Sequence, residues 1–131
     1  MLIIYRPDGA PEQTWEFDPQ ELLDVEATAI ERVTGWTYGE FGEQFIKGSI
    51  LARKALLWVL RKRTEPTLKF RDVAFRVREL DWKLDADERA KAREAMPDLA
   101  EDEQAAVQML LDAQDDGSED DEARSEIPKA S

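Results

Sequence analysis

Two short β-prone runs, Leu2-Ile3-Ile4-Tyr5 and Thr14-Trp15-Glu16-Phe17, flank the turn cluster Pro7-Asp8-Gly9-Ala10-Pro11 and together predict a β-hairpin. An isolated hairpin is marginal in water, so its apolar face must lie on helices. Asp18-Pro19-Gln20-Glu21 offers an N-cap, a Pro at the first helical position and a carboxylate two residues later. The stripe Leu22, Leu23, Val25, Ala29, Ile30 and Val33 then runs to Gly35, although Thr28 and the early acids leave room for a turn followed by a shorter helix. Thr37-Tyr38-Gly39-Glu40 is a capping box that opens a short helix through Phe41, Phe45 and Ile46, stopping at Gly48.

Ser49 caps the clearest helix, Ile50 to Arg63, which ends at Thr64-Glu65-Pro66. At 100° per residue, Ala52, Ala55, Leu56, Val59 and Leu60 share one wide face with Leu51 and Trp58 at its margin, which is expected to be core. Ile50 and Leu57 project on the other side among Arg53, Lys54 and Arg61, so this helix needs a second contact surface. Either a loop or the hairpin covers that stripe, or a partner does. The expectation carried forward is that Leu56 and Trp58 are core, Leu57 is not, and Ile50, Arg53, Lys54, Leu57 and Arg61 bind a partner.

Residues 68–83 fit two periods. Phe70, Val73, Val77, Leu80 and Leu84 have helical spacing, whereas Val73, Phe75 and Val77 alternate with Ala74, Arg76 and Arg78 as in a strand. Asp85-Ala86-Asp87-Glu88 is a further capping box for a helix to Met96, and Pro97-Asp98 with Glu101 starts a last one through Val107, Met109, Leu110 and Leu111. From Asp115 onward, like charges with Gly, Ser and Pro predict disorder. The fold expected is therefore α+β, mainly α: a helical domain over 1–114 with an N-terminal hairpin and its core within 1–85, then a disordered acidic tail over 115–131.

Charge sharpens this division. Residues 1–83 carry 13 Lys and Arg against 14 Asp and Glu, whereas residues 84–131 carry 5 against 16, so most of the formal net charge of -12 lies in the last third. The chain has no Cys and no His, which excludes disulfides, thiolate nucleophiles, Cys/His zinc sites and histidine bases. Its six glycines form no phosphate-binding loop or dinucleotide fingerprint. No enzyme activity, metal or cofactor is expected. The opening run lacks the basic region and cleavage site of a secretory signal, and no apolar run approaches the ~18 residues of a membrane span, so a cytoplasmic protein without membrane contact is expected.

Residues 53–78 hold nine basic groups against Glu65 and Asp72, with Trp58, Phe70 and Phe75 interleaved as conceivable stacking groups for nucleic acid. The overall negative charge opposes that use, and a solvated face neutralised by the acidic end is the plainer account. No nucleic-acid partner is expected.

The wording of several segments adds a resemblance. Ala29-Ile30-Glu31-Arg32-Val33-Thr34-Gly35-Trp36-Thr37, then Phe41-Gly42-Glu43, Ser49 through Arg63, and Pro66-Thr67-Leu68-Lys69-Phe70 with Asp72-Val73 and Phe75 follow in order. This resembles the tail assembly chaperones of long-tailed actinobacterial phages and prophages, over about residues 1–85. The resemblance implies a non-enzymatic role in the host cytoplasm: binding the tape measure protein, a long coiled-coil-rich chain prone to aggregate, keeping it soluble and helping to recruit tail tube subunits. It also implies the shorter, non-frameshifted form of two products; self-association is left open. The competing classes are an acidic DNA mimic or antitoxin-like regulator, which would use the acidic third, and a minor structural component of tail or head.

Overall fold

The structure is a computed structural model and describes residues 1–113. The expected acidic tail over 115–131 lies outside the described residues. The fold is α+β and mainly helical, with a three-stranded antiparallel sheet at the N-terminal end. Strands β1 (Leu2–Tyr5) and β2 (Gln13–Glu16) form the predicted hairpin, in a register that sets Ile3 opposite Trp15. Helices α1 (Asp24–Thr34), α2 (Tyr38–Ile46) and α3 (Ile50–Lys62) follow, and β3 (Leu80–Lys83) returns to the free side of β1. Met1–Lys83 is one compact unit and a second begins at Leu84.

Local capping explains the helix boundaries. Thr37 Oγ1 accepts from the Glu40 amide at 3.1 Å while the Glu40 carboxylate reaches back to the Thr37 amide, and Ser49 Oγ accepts from the Ala52 amide at 3.1 Å. At Gly35 the chain leaves α1 with φ 76°, a left-handed conformation open to glycine at little cost, while its amide still bonds the Glu31 carbonyl. The start of α1 departs from expectation. Asp18 closes a single turn, with its carbonyl accepting from the Glu21 amide and its carboxylate from the Gln20 amide, and the helix begins only at Asp24. Its Glu26 carboxylate accepts from the Leu23 amide at 3.2 Å.

Helix α3 is the centre of the first unit. Residues 55 to 60 are buried without interruption. A helix that is apolar all round must be covered on every side. Helices α1 and α2 both pack against it and against each other. The sheet supplies another side, because alternation places Ile3, Tyr5, Leu80 and Trp82 on one face, where Ile3, Leu80 and Trp82 surround a narrow recess with Phe45, Leu56 and Leu57. Trp82 also meets Phe45 with ring centroids 5.1 Å apart. The segment after α3 closes over Trp58, whose indole N–H donates to the Leu68 carbonyl at 2.9 Å and whose ring meets Phe70 edge-on at 5.6 Å.

The expectation that Leu57 lies outside the core is therefore corrected: Leu57 is 0% exposed, while Leu56 and Trp58 are core as expected. The reason is tertiary. The stripe read as a partner surface is the stripe on which the sheet folds.

The segment over 68–83 resolves into single 3₁₀ turns at Phe70–Asp72 and Val77–Glu79, with strand β3 after the second. Glu79 directs this return. It is 7% exposed, and its carboxylate accepts from the Arg76 amide at 2.6 Å and the Asp8 amide at 2.9 Å, while its carbonyl accepts from the Arg6 amide at 2.7 Å. One residue thus ties the start of β3 to the hairpin turn. The two amide donors hold its carboxyl below the ordinary glutamate value.

The second unit is built by the same local rules. Asp85 and Glu88 form a reciprocal capping box at 2.8 and 3.0 Å that opens α4 (Ala86–Ala95). Met96–Asp98 is a 3₁₀ turn, and the chain is helical again from 101 to 113, where Val107 and Leu111 are buried.

Two predictions follow from this packing. Leu57→Ala should destabilise the chain by about 2–5 kcal/mol, comparable to Leu56→Ala, in urea unfolding at neutral pH. A Leu57→Ala variant as stable as wild type would remove the sheet from that face. The second concerns acid. Because the folded carboxyl of Glu79 titrates below the ordinary value of 4.5, its contribution is present above that pH and is lost as pH falls through the lowered folded value. Glu79→Gln should be less stable than wild type near neutrality, and the gap should close as the pH falls below about 4.5. A gap that stays constant with pH would mean that the carboxylate charge plays no part.

Candidate partner-binding surfaces

The five residues expected to bind a partner do not form one surface. Ile50 is 46% exposed at the start of α3, but Leu57, two turns along the same stripe, is sealed under the sheet and cannot reach a partner while the unit is folded. Arg53 borders that recess beside Asp81, with its Nε buried and without a hydrogen-bond partner. Lys54 lies over the Phe70 ring at 4.7 Å. Arg61 pairs with Glu65 at 3.0 and 3.3 Å and lies over the Tyr5 ring at 5.8 Å. The charged groups of Lys54 and Arg61 thus lie against aromatic rings of this unit. The tryptophan among them is also committed, since Trp58 is buried against Phe70 and bonded to Leu68, leaving no free ring face for a nucleobase.

Apolar exposure lies elsewhere. A groove of about 300 Å³ runs between α1 and α3, lined by Leu23, Val25, Glu26, Ala29, Val59, Lys62 and Arg63. Leu23 and Val25 stand 63% and 66% exposed at its lip. Late initiation of α1 accompanies this: with the helix starting at Asp24, Leu23 is its N-cap and Val25 lies in its first turn, both outside the core. The sequence signal was the group of acids and Thr28 that permitted a turn and a shorter helix. Across the groove, Arg63 grips Glu26 through two hydrogen bonds of 2.9 and 3.1 Å, and this pairing holds the Glu26 carboxyl below its ordinary value. Glu26 and Arg63 thereby neutralise each other, and the Lys62 ammonium lies over the Trp58 ring at 4.7 Å.

A second cleft, of about 230 Å³, opens where the chain leaves β2 and passes α2. Met1, Phe17, Pro19, Tyr38, Gly39, Phe41, Gly42, Phe45 and Ile46 line it. Its wall is a run of rings: Tyr38 stacks on Phe41 at 5.7 Å, and Phe41 meets Phe45 at 6.1 Å. The Tyr38 hydroxyl donates to the Pro19 carbonyl at 2.8 Å, bridging the two sides. Burial pushes that hydroxyl above the ordinary phenol range, and the nearby carboxylates of Asp18 and Glu26 push it further. Gly39 lies in the first turn of α2 and Gly42 in its interior, where glycine costs about 1 kcal/mol relative to alanine. A Cβ on Gly42 would meet nothing within 4 Å, and one on Gly39 only Thr37 Oγ1 at 4.0 Å. Packing within the unit therefore does not require either glycine.

Among the described residues no group of three or more His, Cys, Asp or Glu side chains is placed to hold a metal ion, and no helix is long and apolar enough to cross a membrane. The chemistry available to these clefts is apolar burial with charged flanks. No family model, curated protein or solved structure matches the chain.

Proposed function

We propose that this protein is a phage tail assembly chaperone that holds amphipathic helices of the tape measure protein in the α1–α3 groove, keeps that chain soluble and helps to bring tail tube subunits to it. The observation that carries the reading is the pair Leu23 and Val25, about two-thirds exposed beside a groove floored by Ala29 and Val59. Such side chains are costly to leave in water unless something covers them, and an amphipathic helix laid in a groove is a recurrent solution. The Lys62 ammonium beside the groove suits an acidic flanking position of a coiled-coil helix. The resemblance over residues 1–85 supplies the partner's identity, and the large negative charge keeps the chaperone itself soluble while its apolar groove is open.

The test is co-expression with a tape measure protein. Leu23→Ser combined with Val25→Ser touches no core residue, so helical circular dichroism and the melting temperature should stay close to wild type. The soluble fraction of the tape measure protein should fall to the level seen without chaperone. A folded double variant that solubilises the tape measure protein as well as wild type would contradict the assignment of the groove.

A further inference from the structure

We propose that Asp8-Gly9, in the hairpin turn, is a site of backbone rearrangement: the Gly9 amide nitrogen attacks the Asp8 side-chain carboxyl, water reopens the ring to leave isoaspartate, and the Arg78 guanidinium holds the reaction in check. This inference does not depend on what the α1–α3 groove holds.

The nucleophile comes first. The Ala10 amide closes a β-turn onto the Pro7 carbonyl at 3.4 Å, with Gly9 at φ 75° in the third position while Asp8 keeps a negative φ. That is the type II pattern, in which glycine takes the left-handed place. Any other residue after Asp8 would screen its own amide nitrogen with a side chain. Gly9 has none, a Cβ there would meet nothing within 4 Å, and its amide donates no hydrogen bond among the described residues.

The reaction balances with water alone. The nitrogen bonds to Asp8 Cγ while the carboxyl hydroxyl and the amide proton leave as water, giving a five-membered succinimide. Water then adds either to Cγ, which restores aspartate, or to the main-chain carbonyl carbon of Asp8, which routes the chain through Cβ and Cγ and leaves isoaspartate. A hydroxyl leaves from a protonated carboxyl far more readily than oxide leaves from a carboxylate, so whatever keeps Asp8 ionised slows the first step.

Arg78 does this. Its Nη1 and Nη2 donate to the two Asp8 carboxylate oxygens at 3.2 and 2.7 Å, and Arg76 Nε stands 3.6 Å away. The Arg78 hydrogen bonds hold the Asp8 carboxyl below its ordinary value, in spite of the Glu79 carboxylate nearby. Arg6 and Glu12, also on the hairpin, pair with each other at 2.7 Å. The turn acts in the same direction, because ring closure needs Asp8 Cβ and the Gly9 nitrogen on one side of the Cα–C bond, and the type II ψ of about 120° holds them apart.

Rearrangement here would reach β3. The Asp8 amide donates to the Glu79 carboxylate at 2.9 Å and the Asp8 side chain pairs with Arg78, so two ties between the hairpin turn and the start of β3 run through the residue that rearranges. One added backbone carbon displaces them.

The test ages the full chain at neutral pH and physiological temperature and reads isoaspartate at position 8 by electron-transfer fragmentation of its peptide, with Asp116-Gly117, the same pair elsewhere in the chain, counted apart. Folded wild type should convert slowly, and wild type unfolded in urea much faster. Arg78→Gln should speed conversion of the folded chain roughly three- to fivefold, the upper range for an exposed ion pair, and should match wild type once both are in urea. Arg6→Gln, which breaks the other exposed pair of the hairpin, should leave the rate nearly unchanged. The chain carrying isoaspartate at position 8 should unfold at lower urea than its parent. Equal rates for folded Arg78→Gln and wild type, equal acceleration by Arg6→Gln, or no conversion of either folded chain while the unfolded one converts would overturn the proposal. A rearranged chain as stable as its parent would contradict the link to β3.

Discussion

Burial of α3 around its whole circumference is the constraint on which the Met1–Lys83 unit depends. Six consecutive buried residues, 55 to 60, have no solvent-facing side, so the hairpin, β3, α1, α2 and the segment after α3 are arranged to cover them. A small unit has little other apolar surface to bury, and a helix enclosed over residues 55 to 60 concentrates what it has. The basic residues at both ends of α3 remain accessible by lying across the aromatic rings that close the core.

The cover over α3 depends on one buried carboxylate. Glu79 accepts two backbone amides, one from the hairpin turn and one from the turn before β3, and so sets where the third strand starts. Without that tie, Leu80 and Trp82 have no fixed register against Ile3 and Tyr5, and the side of α3 holding Leu57 loses its roof. A non-local contact of this kind brings the two ends of the unit together.

Local chemistry made much of the fold readable in advance. The capping residues Thr37, Ser49 and Asp85 each act within three residues, so their helices were placed from sequence. Asp18 misled because an N-cap and a one-turn Asx motif use the same side chain, and the choice depends on how the following residues pack. Strand β3 stayed ambiguous because its identity comes from pairing with β1, more than seventy residues away. Periodicity did reveal that α3 needed a second contact surface, but not that the protein fills it from within. Hence Ile50 and Leu57, equivalent on a helical wheel, have opposite fates, and the apolar side chains left outside are Leu23 and Val25.

Sealing the middle of α3 leaves the exposed apolar side chains at the periphery of the unit. The α1–α3 groove and the aromatic cleft beside α2 both leave apolar side chains open to solvent, Leu23 and Val25 at the first and Ile46 at the second. Val59, Lys62 and Arg63 at the end of α3 line the groove, whereas no α3 residue lines the cleft. Native-state amide hydrogen exchange tests this arrangement most directly. The account predicts that the amides of residues 56 to 60 exchange only through global unfolding, with protection equal to the stability measured by urea, while those of the first turns of α1 and α2 exchange through smaller local openings. Amides of residues 56 to 60 that exchange through local opening, well below the global free energy, would contradict it.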